Sequence, residues 1–331
     1  MASLRSVSQE LSVEANQVGV RDVDLLIGAA TWDRRCMALT EISLPSAVPY
    51  ALLLRYQNRG VSGRVDEHEV VLFETMMAVA DNPPIVLDVD SADLVSAWLA
   101  VRRSVSSIYE SLGRPLRIAI DLNSVPRYVA LSLLGFGART GLIDTYSAVY
   151  TAARRYETTS GPAAFTEGTW IPRAIPTLGD GASPSARSVM VIAGGFEGEH
   201  TRRLVNALEP DRVLVALSTG IDEQHERAAR RASAGVAEEY LVDKDGVLYL
   251  PSNDMSGCLE VLERALAPII ADPEDPAAVS FVLCGTKVAA LAMALYAIEH
   301  PVAQVYYSDP ERRLESSAAE IAWYTVVRVR L

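Results

Sequence analysis

Short apolar runs alternate with longer segments of helical character along most of the chain. Runs such as Asp24–Ala29, Arg117–Leu122 and Val279–Leu283 are rich in branched apolar residues, which is typical of strands buried on both faces of a parallel sheet. The segments Ser91–Leu112 and Tyr128–Phe136 have the spacing and end signals of helices. Strands separated by helices predict parallel sheets covered by helices, which is an α/β fold.

A stretch rich in proline, glycine, serine and threonine interrupts this alternation at residues 157–187. Because it shows no clear hydrophobic period, its composition predicts a connector between domains. We therefore expect a Rossmann-like N-terminal half at residues 1–156 and a second Rossmann-like half at residues 188–331. Residues 1–22 have the composition of a polar lead-in, and Ile321–Leu331 is expected to add an edge strand.

The two halves correspond loosely when one is shifted by roughly 160–170 residues along the other. In both, a strand with glycine near its end leads to an arginine pair, Arg34–Arg35 or Arg202–Arg203. A later strand leads to Asn123–Ser124 and Arg127 in the first half, and to Gly285–Lys287 in the second. These matches predict a duplication with pseudo-twofold symmetry, in which two facing rims form one pocket. The alternative is that all doubly wound sheets share such patterns.

The strand ending near Leu283 is followed by a glycine, a threonine and a lysine, and then by an apolar helix. Thr286 is a good N-cap residue, and the start of a helix binds anions through its N–H groups and its dipole. Lys287 adds a cation, so the turn is suited to phosphate. The alternative is an ordinary strand-to-helix turn with Lys287 in solvent. The spacing of Gly285 and Lys287 is not that of a Walker A loop.

The candidate ligand-binding residues lie where strands of the two halves end. In these positions hydroxyl groups and amides would bind phosphate or ribose oxygens, cations would neutralise charge, and an aromatic ring would stack on a base. The set is Thr31, Trp32, Arg34, Arg35, Asn123, Ser124, Arg127, Phe196, Glu197, Arg202, Gly285, Thr286 and Lys287. For each arginine, the alternative is a solvated charge on a helix surface.

Composition excludes several classes of partner. Half of the 331 residues are hydrophobic and 22% are charged, with a net charge of −12, which argues against binding duplex nucleic acid. The three cysteines are far apart and the four histidines form no cluster, so we expect a reducing compartment, no metal and no cofactor. The chain has no apolar run long enough to cross a membrane. These features predict a cytoplasmic protein.

The run VLCGTKVAALAMALYAIE, followed by VAQVYYSD, resembles the strand–turn–helix–strand segment of the CRISPR-associated Rossmann fold (CARF) domains. The related SAVED domains join two CARF-like halves in one chain, and GAATWDRRC is similar to their ligand loop in position. The resemblance implies binding of a cyclic oligonucleotide across a twofold or pseudo-twofold axis. The sequence departs from the family pattern at Cys284, where a second glycine is frequent, and no fused effector domain is recognisable.

Three functions follow from these features. The first is a sensor or accessory protein of prokaryotic antiviral defence that binds a nucleotide-type ligand, with an effector protein as a further partner. The second is an enzyme acting on such a ligand, a metal-independent phosphodiesterase or a nucleotide hydrolase, in which Lys287 would stabilise an oxyanion and Glu197 would act as a base. The third is a non-catalytic subunit of a defence complex.

Overall fold

The strands of each predicted half form a sheet of their own, and helices connect them. A computed structural model describes residues 4–57, 63–90, 92–158, 165–181, 186–272, 274–314 and 316–331. The chain divides into two compact units. The first comprises Met1–Glu157 and Glu315–Leu331, and the second comprises Thr158–Leu314.

The order of elements alternates strand and helix in both units. The first unit contains β1 (Ser6–Ser12), β2 (Leu25–Ala29), α1 (Ala38–Glu41), β3 (Tyr50–Tyr56), α2 (Arg64–Val79), β4 (Ile85–Val89), α3 (Leu94–Leu112), β5 (Leu116–Asp121), α4 (Arg127–Thr140) and β6 (Ile143–Thr158). The second contains β7 (Thr166–Ala174), β8 (Arg187–Gly194), α5 (Gly198–Leu208), β9 (Arg212–Thr219), α6 (Glu223–Glu239), β10 (Val247–Pro251), α7 (Met255–Ile270), β11 (Ala277–Leu283), α8 (Lys287–Glu299) and β12 (Gln304–Arg313). The last strand, β13 (Ser316–Arg330), returns to the first unit.

The two sheets have the same central topology. The first sheet has the order β1-β13-β6-β5-β2-β3-β4, and the second has the order β7-β12-β11-β8-β9-β10. In each sheet the five strands from β6 to β4, or from β12 to β10, run parallel to one another. In chain order these five strands are fifth, fourth, first, second and third in both units. The predicted α/β class with two Rossmann-like halves is therefore confirmed.

The helices pack in pairs, as in a doubly wound sheet. Helix α1 contacts α2 and α3 contacts α4 in the first unit, whereas α5 contacts α6 and α7 contacts α8 in the second. Local signals set the helix ends. Asp93 caps α3 by accepting a hydrogen bond from Ser96 N, and Gly113 ends the helix in the left-handed conformation. Ser91, where the helix was predicted to begin, lies outside the described residues.

The assignments predicted for the two ends of the chain need correction, although the first unit begins and first ends close to the predicted residues 1–156. Residues 1–22 are not a simple lead-in, because β1 pairs antiparallel with β13. Strand β13 is not an edge strand of residues 188–331, since it lies between β1 and β6 in the first sheet. Its Tyr324 and Val326 are buried in the hydrophobic core that also contains Leu26 and Leu53. Burial of this apolar face explains why the C-terminal strand belongs to the first unit.

The predicted connector at residues 157–187 is also incorrect in part. Residues 159–164 and 182–185 lie outside the described residues, but between them β7 pairs antiparallel with β12. Trp170 of β7 packs in the core of the second unit with Met190 and Val213. Beyond β7, Ile175 N donates a hydrogen bond to Val305 O at 2.9 Å. The central part of this segment is therefore a strand of the second sheet.

Among the helices in the described part of the chain, none combines the length and the apolar character needed to cross a membrane.

Candidate functional site

Both sheets have a topological switch point, where the strand order reverses direction. It lies between β2 and β5 in the first sheet and between β8 and β11 in the second. In open α/β sheets, ligands bind at the carboxyl ends of the strands beside such a point. The predicted site residues follow these four strands, apart from Arg202, which lies within α5. The structure thus brings the predicted loops of each half to the switch point of its own unit.

In the second unit, the two switch-point loops touch through their backbones. A Cβ atom on Gly195 would lie 2.7 Å from Cys284 O, and one on Gly285 would lie 2.6 Å from Gly194 O. Both distances are too short for a side chain, so glycine is required at both positions by close approach. Neither glycine has a positive φ, so Gly285 is needed for space and not for a special backbone conformation.

The loop after β11 begins α8 as predicted. Thr286 is the N-cap, and its Oγ1 accepts a hydrogen bond from Ala289 N at 3.2 Å. Lys287, partly buried, is the first residue of the helix. Ser218, a buried residue near the end of β9, lies 2.7 Å from Thr286 Oγ1 through its own Oγ. A hydroxyl pair therefore fixes the start of α8, and the sequence pattern did not point to Ser218.

Glu197 is used to hold the start of β7. Its Oε1 accepts hydrogen bonds from Phe165 N at 3.2 Å, from Thr166 N at 2.8 Å and from Thr166 Oγ1 at 2.7 Å. This arrangement gives Glu197 a positioning task and makes it a poor candidate for a general base.

Phe196 belongs to a row of aromatic rings at the same edge. Its ring stacks on that of Phe165, with centroids 5.8 Å apart. It also contacts the imidazole of His225 edge to face, with centroids 4.6 Å apart. His225 is absent from the residues predicted from sequence, because a single histidine near the start of a helix carries no motif.

Arg202 is the fifth residue of α5 and lies on the surface of that helix, not in the loop after β8. Its guanidinium lies 3.2 Å from a carboxylate oxygen of Glu199 and 3.7 Å from one of Glu239. The side chain is 44% exposed. The arrangement is that of a solvated helix-surface charge, which was the alternative interpretation of this arginine.

Arg35 in the first unit is neutralised by a neighbour in its own loop. Its Nε and Nη2 donate to Asp33 Oδ2 at 2.9 Å and 2.6 Å, and its Nη1 donates to Tyr156 Oη at 3.1 Å. Asp33 also accepts from Ala318 N of β13. Burial alone would lower the pKa of Arg35, but the Tyr156 oxygen and the Asp33 carboxylate raise it above its ordinary value. Arg35 therefore stabilises the loop and is charged at every physiological pH.

Thr31 and Cys36 lie against a histidine of α2. Thr31 O lies 2.7 Å from His68 Nδ1, and Cys36 Sγ lies 3.4 Å from the same nitrogen. Because the carbonyl can only accept, Nδ1 carries a proton and does not accept one from the thiol. Burial raises the pKa of Cys36 to about 12. The pair lacks the geometry of an activated cysteine nucleophile.

The other predicted residues of this loop differ in exposure. Trp32 is partly buried and packs against the core of the first unit. The Arg34 side chain is 52% exposed, and its Nη2 lies 4.0 Å from Glu41 Oε1. Arg34 is thus the more accessible member of the first arginine pair.

The loop after β5 is closed on itself around a buried carboxylate. Asp121 Oδ1 accepts from Asn123 N and Nδ2, both at 2.8 Å, and Asp121 Oδ2 accepts a short hydrogen bond from Ser124 Oγ. Ser124 Oγ in turn accepts from Ala29 N at 3.1 Å. Arg127 is the first residue of α4. Ser124 thus joins this loop to β2, and Asn123 joins it to β6 because its Oδ1 accepts a hydrogen bond from Thr151 N at 3.2 Å, so both side chains are committed to the fold.

The second unit therefore carries the stronger candidate site. Its loops combine a tight backbone approach, a capped helix start and a lysine. Two cavities lie elsewhere, one of about 410 Å³ beside Asn16 and Ser43 and one of about 500 Å³ beside Tyr296 and His300. Neither is lined by a predicted site residue, and the candidate site is defined by its backbone geometry. Across the described ranges, no group of three or more His, Cys, Asp or Glu side chains is placed to hold a metal ion.

A comparison with models of known protein families gives no match for this chain, and a comparison with curated proteins gives none either.

Proposed function

We propose that the protein binds a nucleotide-type ligand whose phosphate lies at the carboxyl edge of the second sheet, beside the start of α8. The observation that carries the proposal is the backbone contact of the Gly195 and Gly285 loops at the switch point. The two glycines let the loops after β8 and β11 meet at one point of the carboxyl edge beside the start of α8, and this is the edge at which open α/β sheets bind ligands.

The start of α8 supplies the complementary charge. A helix begins with amide N–H groups that have no partner within the helix, and its dipole favours an anion there. Thr286 satisfies one of these groups, that of Ala289. Lys287 at the first helical position brings a cation to the same place. Together these features favour phosphate over a neutral ligand.

The resemblance to CARF and SAVED domains suggests the kind of nucleotide. It supports a cyclic oligonucleotide as ligand, and a sensor or accessory protein of prokaryotic antiviral defence as the role. The first unit offers fewer side chains for ligand binding, because Arg35, Asn123 and Ser124 make hydrogen bonds within that unit.

A binding experiment tests the proposal directly. The protein is titrated with linear and cyclic oligonucleotides while thermal unfolding is followed, since a ligand present at a hundred times its Kd stabilises the native state by about 2.7 kcal/mol. We expect at least one of these probes to raise the Tm. Lys287→Ala should weaken that binding about tenfold, the loss typical of one charge-assisted contact.

The chain offers a matched control for this substitution. Lys244 is the other lysine of the sequence and lies exposed in the turn before β10. Lys244→Ala changes the net charge by the same amount, so it should leave binding unchanged. Absence of a Tm shift with every probe would contradict the proposal, and equal losses in both variants would contradict the placement of the phosphate. Turnover of a labelled oligonucleotide that Lys287→Ala abolishes would favour the enzymatic alternative.

A further inference from the structure

A buried histidine lies at the same sheet edge as the proposed phosphate position. His225 is the third residue of α6, the helix that follows β9, and its ring contacts Phe196 in the loop after β8. Strands β8 and β9 are neighbours in the sheet. The imidazole therefore lies at the same carboxyl edge as the Gly195 and Gly285 loops.

The imidazole of His225 is neutral at physiological pH. Burial lowers its pKa, and Asp222 and Glu226 oppose this shift only in part. The start of α6 also disfavours a positive charge at this position, because the helix dipole is positive there. A neutral imidazole offers one hydrogen-bond donor and one acceptor.

Neither of these groups has a hydrogen-bond partner among the described residues. The side chain is only 8% exposed, yet its nitrogens are not among the fully buried polar atoms that lack a partner, so the small exposed part of the side chain includes them. Both nitrogens are therefore accessible to a ligand at this edge, and a phenylalanine here would give the same ring contact without a donor or an acceptor.

We propose that His225 recognises the base of the nucleotide, with its imidazole hydrogen-bonding to the base edge beside Phe196. A nucleobase is flat and carries donors and acceptors on its rim, which fits a neutral imidazole next to an aromatic ring. The phosphate would lie at the start of α8 and the base at the start of α6. This inference rests on the proposed function and adds the element that distinguishes a nucleotide from a simple phosphate.

The test compares nucleotides with a ligand that lacks the base. Isothermal titration calorimetry is carried out with AMP, GMP, CMP, UMP and ribose 5-phosphate as probes. We expect at least one mononucleotide to bind more tightly than ribose 5-phosphate. His225→Phe keeps the aromatic contact and removes both hydrogen-bonding groups, so it should reduce that preference about tenfold. Its affinity for ribose 5-phosphate should stay within a factor of two of the wild-type value.

Two further variants make the result specific. His225→Gln keeps a donor and an acceptor and should retain part of the base preference. His200→Phe is the matched control, because His200 also contacts an aromatic ring of this unit, that of Trp170, on which it stacks, and its substitution should leave the preference unchanged. If an oligonucleotide raises the Tm but none of these probes binds, this inference fails and the proposed function stands, whereas failure of the oligonucleotides as well would contradict both. Binding without base preference, or a preference that survives His225→Phe, would overturn this inference alone.

Discussion

Replacing Gly285 by alanine tests the backbone contact on which the candidate site depends. The new Cβ would lie 2.6 Å from Gly194 O and 3.2 Å from the carbonyl carbon and oxygen of Ala193. All of these neighbours are main-chain atoms of a central strand, so they cannot move aside as the end of a flexible side chain would. The substitution must separate β8 from the loop after β11.

The expected penalty is that of overpacking a well-packed interior, about 1–3 kcal/mol. Gly235→Ala provides a control of opposite sign in the same unit. Gly235 lies inside α6, and the nearest atom to its new Cβ is Arg202 Cδ at 3.8 Å, an ordinary contact. Alanine in a helix interior is more favourable than glycine by about 0.5–1 kcal/mol. Gly285→Ala should therefore destabilise the second unit while Gly235→Ala stabilises it.

Amide hydrogen exchange followed by mass spectrometry is the suitable assay. It reports on peptides from β8 and β11 directly and does not assume that both units unfold together. A loss of 1–3 kcal/mol corresponds to exchange that is about 5 to 150 times faster. Exchange in these strands within a factor of two of the wild-type rate would show that the loops separate at no cost. The close approach would then not explain the glycine.

Two other substitutions test contacts that stabilise each unit from within. The buried carboxylate of Asp24 accepts hydrogen bonds from Arg114 and Arg117 at 2.7–3.1 Å, so Asp24→Asn should destabilise the first unit by about 3 kcal/mol, the low end for a buried pair because both arginines are partly exposed. Burial alone would raise the pKa of Asp24, but these hydrogen bonds lower it well below its ordinary value of 3.8; the stabilisation is therefore fully present above about pH 4 and is lost progressively as the pH falls from there towards the pKa of the folded protein. Urea unfolding at pH 7 and pH 3 should show the gap between the two proteins narrowing by about 1 kcal/mol in acid, and a constant gap would contradict the assignment. Thr286→Val removes the cap of α8 and the contact with Ser218 and should increase exchange at the start of α8 by the equivalent of about 1–2 kcal/mol, whereas Thr286→Ser should not.

The sequence predicted those strands whose composition alone indicates burial. Strands β2, β5 and β11 consist mostly of apolar residues, which is typical of strands covered by helices and neighbouring strands. Strand β1 alternates exposed and partly buried positions, and its partner β13 follows more than 300 residues later. A polar pattern with so distant a partner carries no local signal, so β1 was not predicted, and the C-terminal strand was predicted but was wrongly placed at an edge.

The segment around β7 shows the same limit. Its residues include glycine and proline and most are exposed or only partly buried, which is typical of a loop. Pairing with β12 turns it into a strand. Composition describes the segment, but its conformation depends on another part of the chain.

The candidate site could be predicted only as far as it is local. The strand ends, the Thr286 cap and the loops at each switch point follow from short patterns. The sequence did not indicate that Asp33 neutralises Arg35 or that Glu197 holds β7, because these depend on where side chains point in the folded unit. Ser218 and His225 were missed for the same reason, since their partners Thr286 and Phe196 lie in other loops.

The central claim is that a nucleotide phosphate binds where the Gly195 and Gly285 loops meet the start of α8. The most direct measurement is nuclear magnetic resonance of ¹⁵N-labelled protein titrated with linear and cyclic oligonucleotides. The account predicts the largest shifts at the amides of Gly195, Gly285 and Lys287. Shifts confined to the cavity beside Tyr296 and His300, or no shifts with any of these ligands, would contradict it.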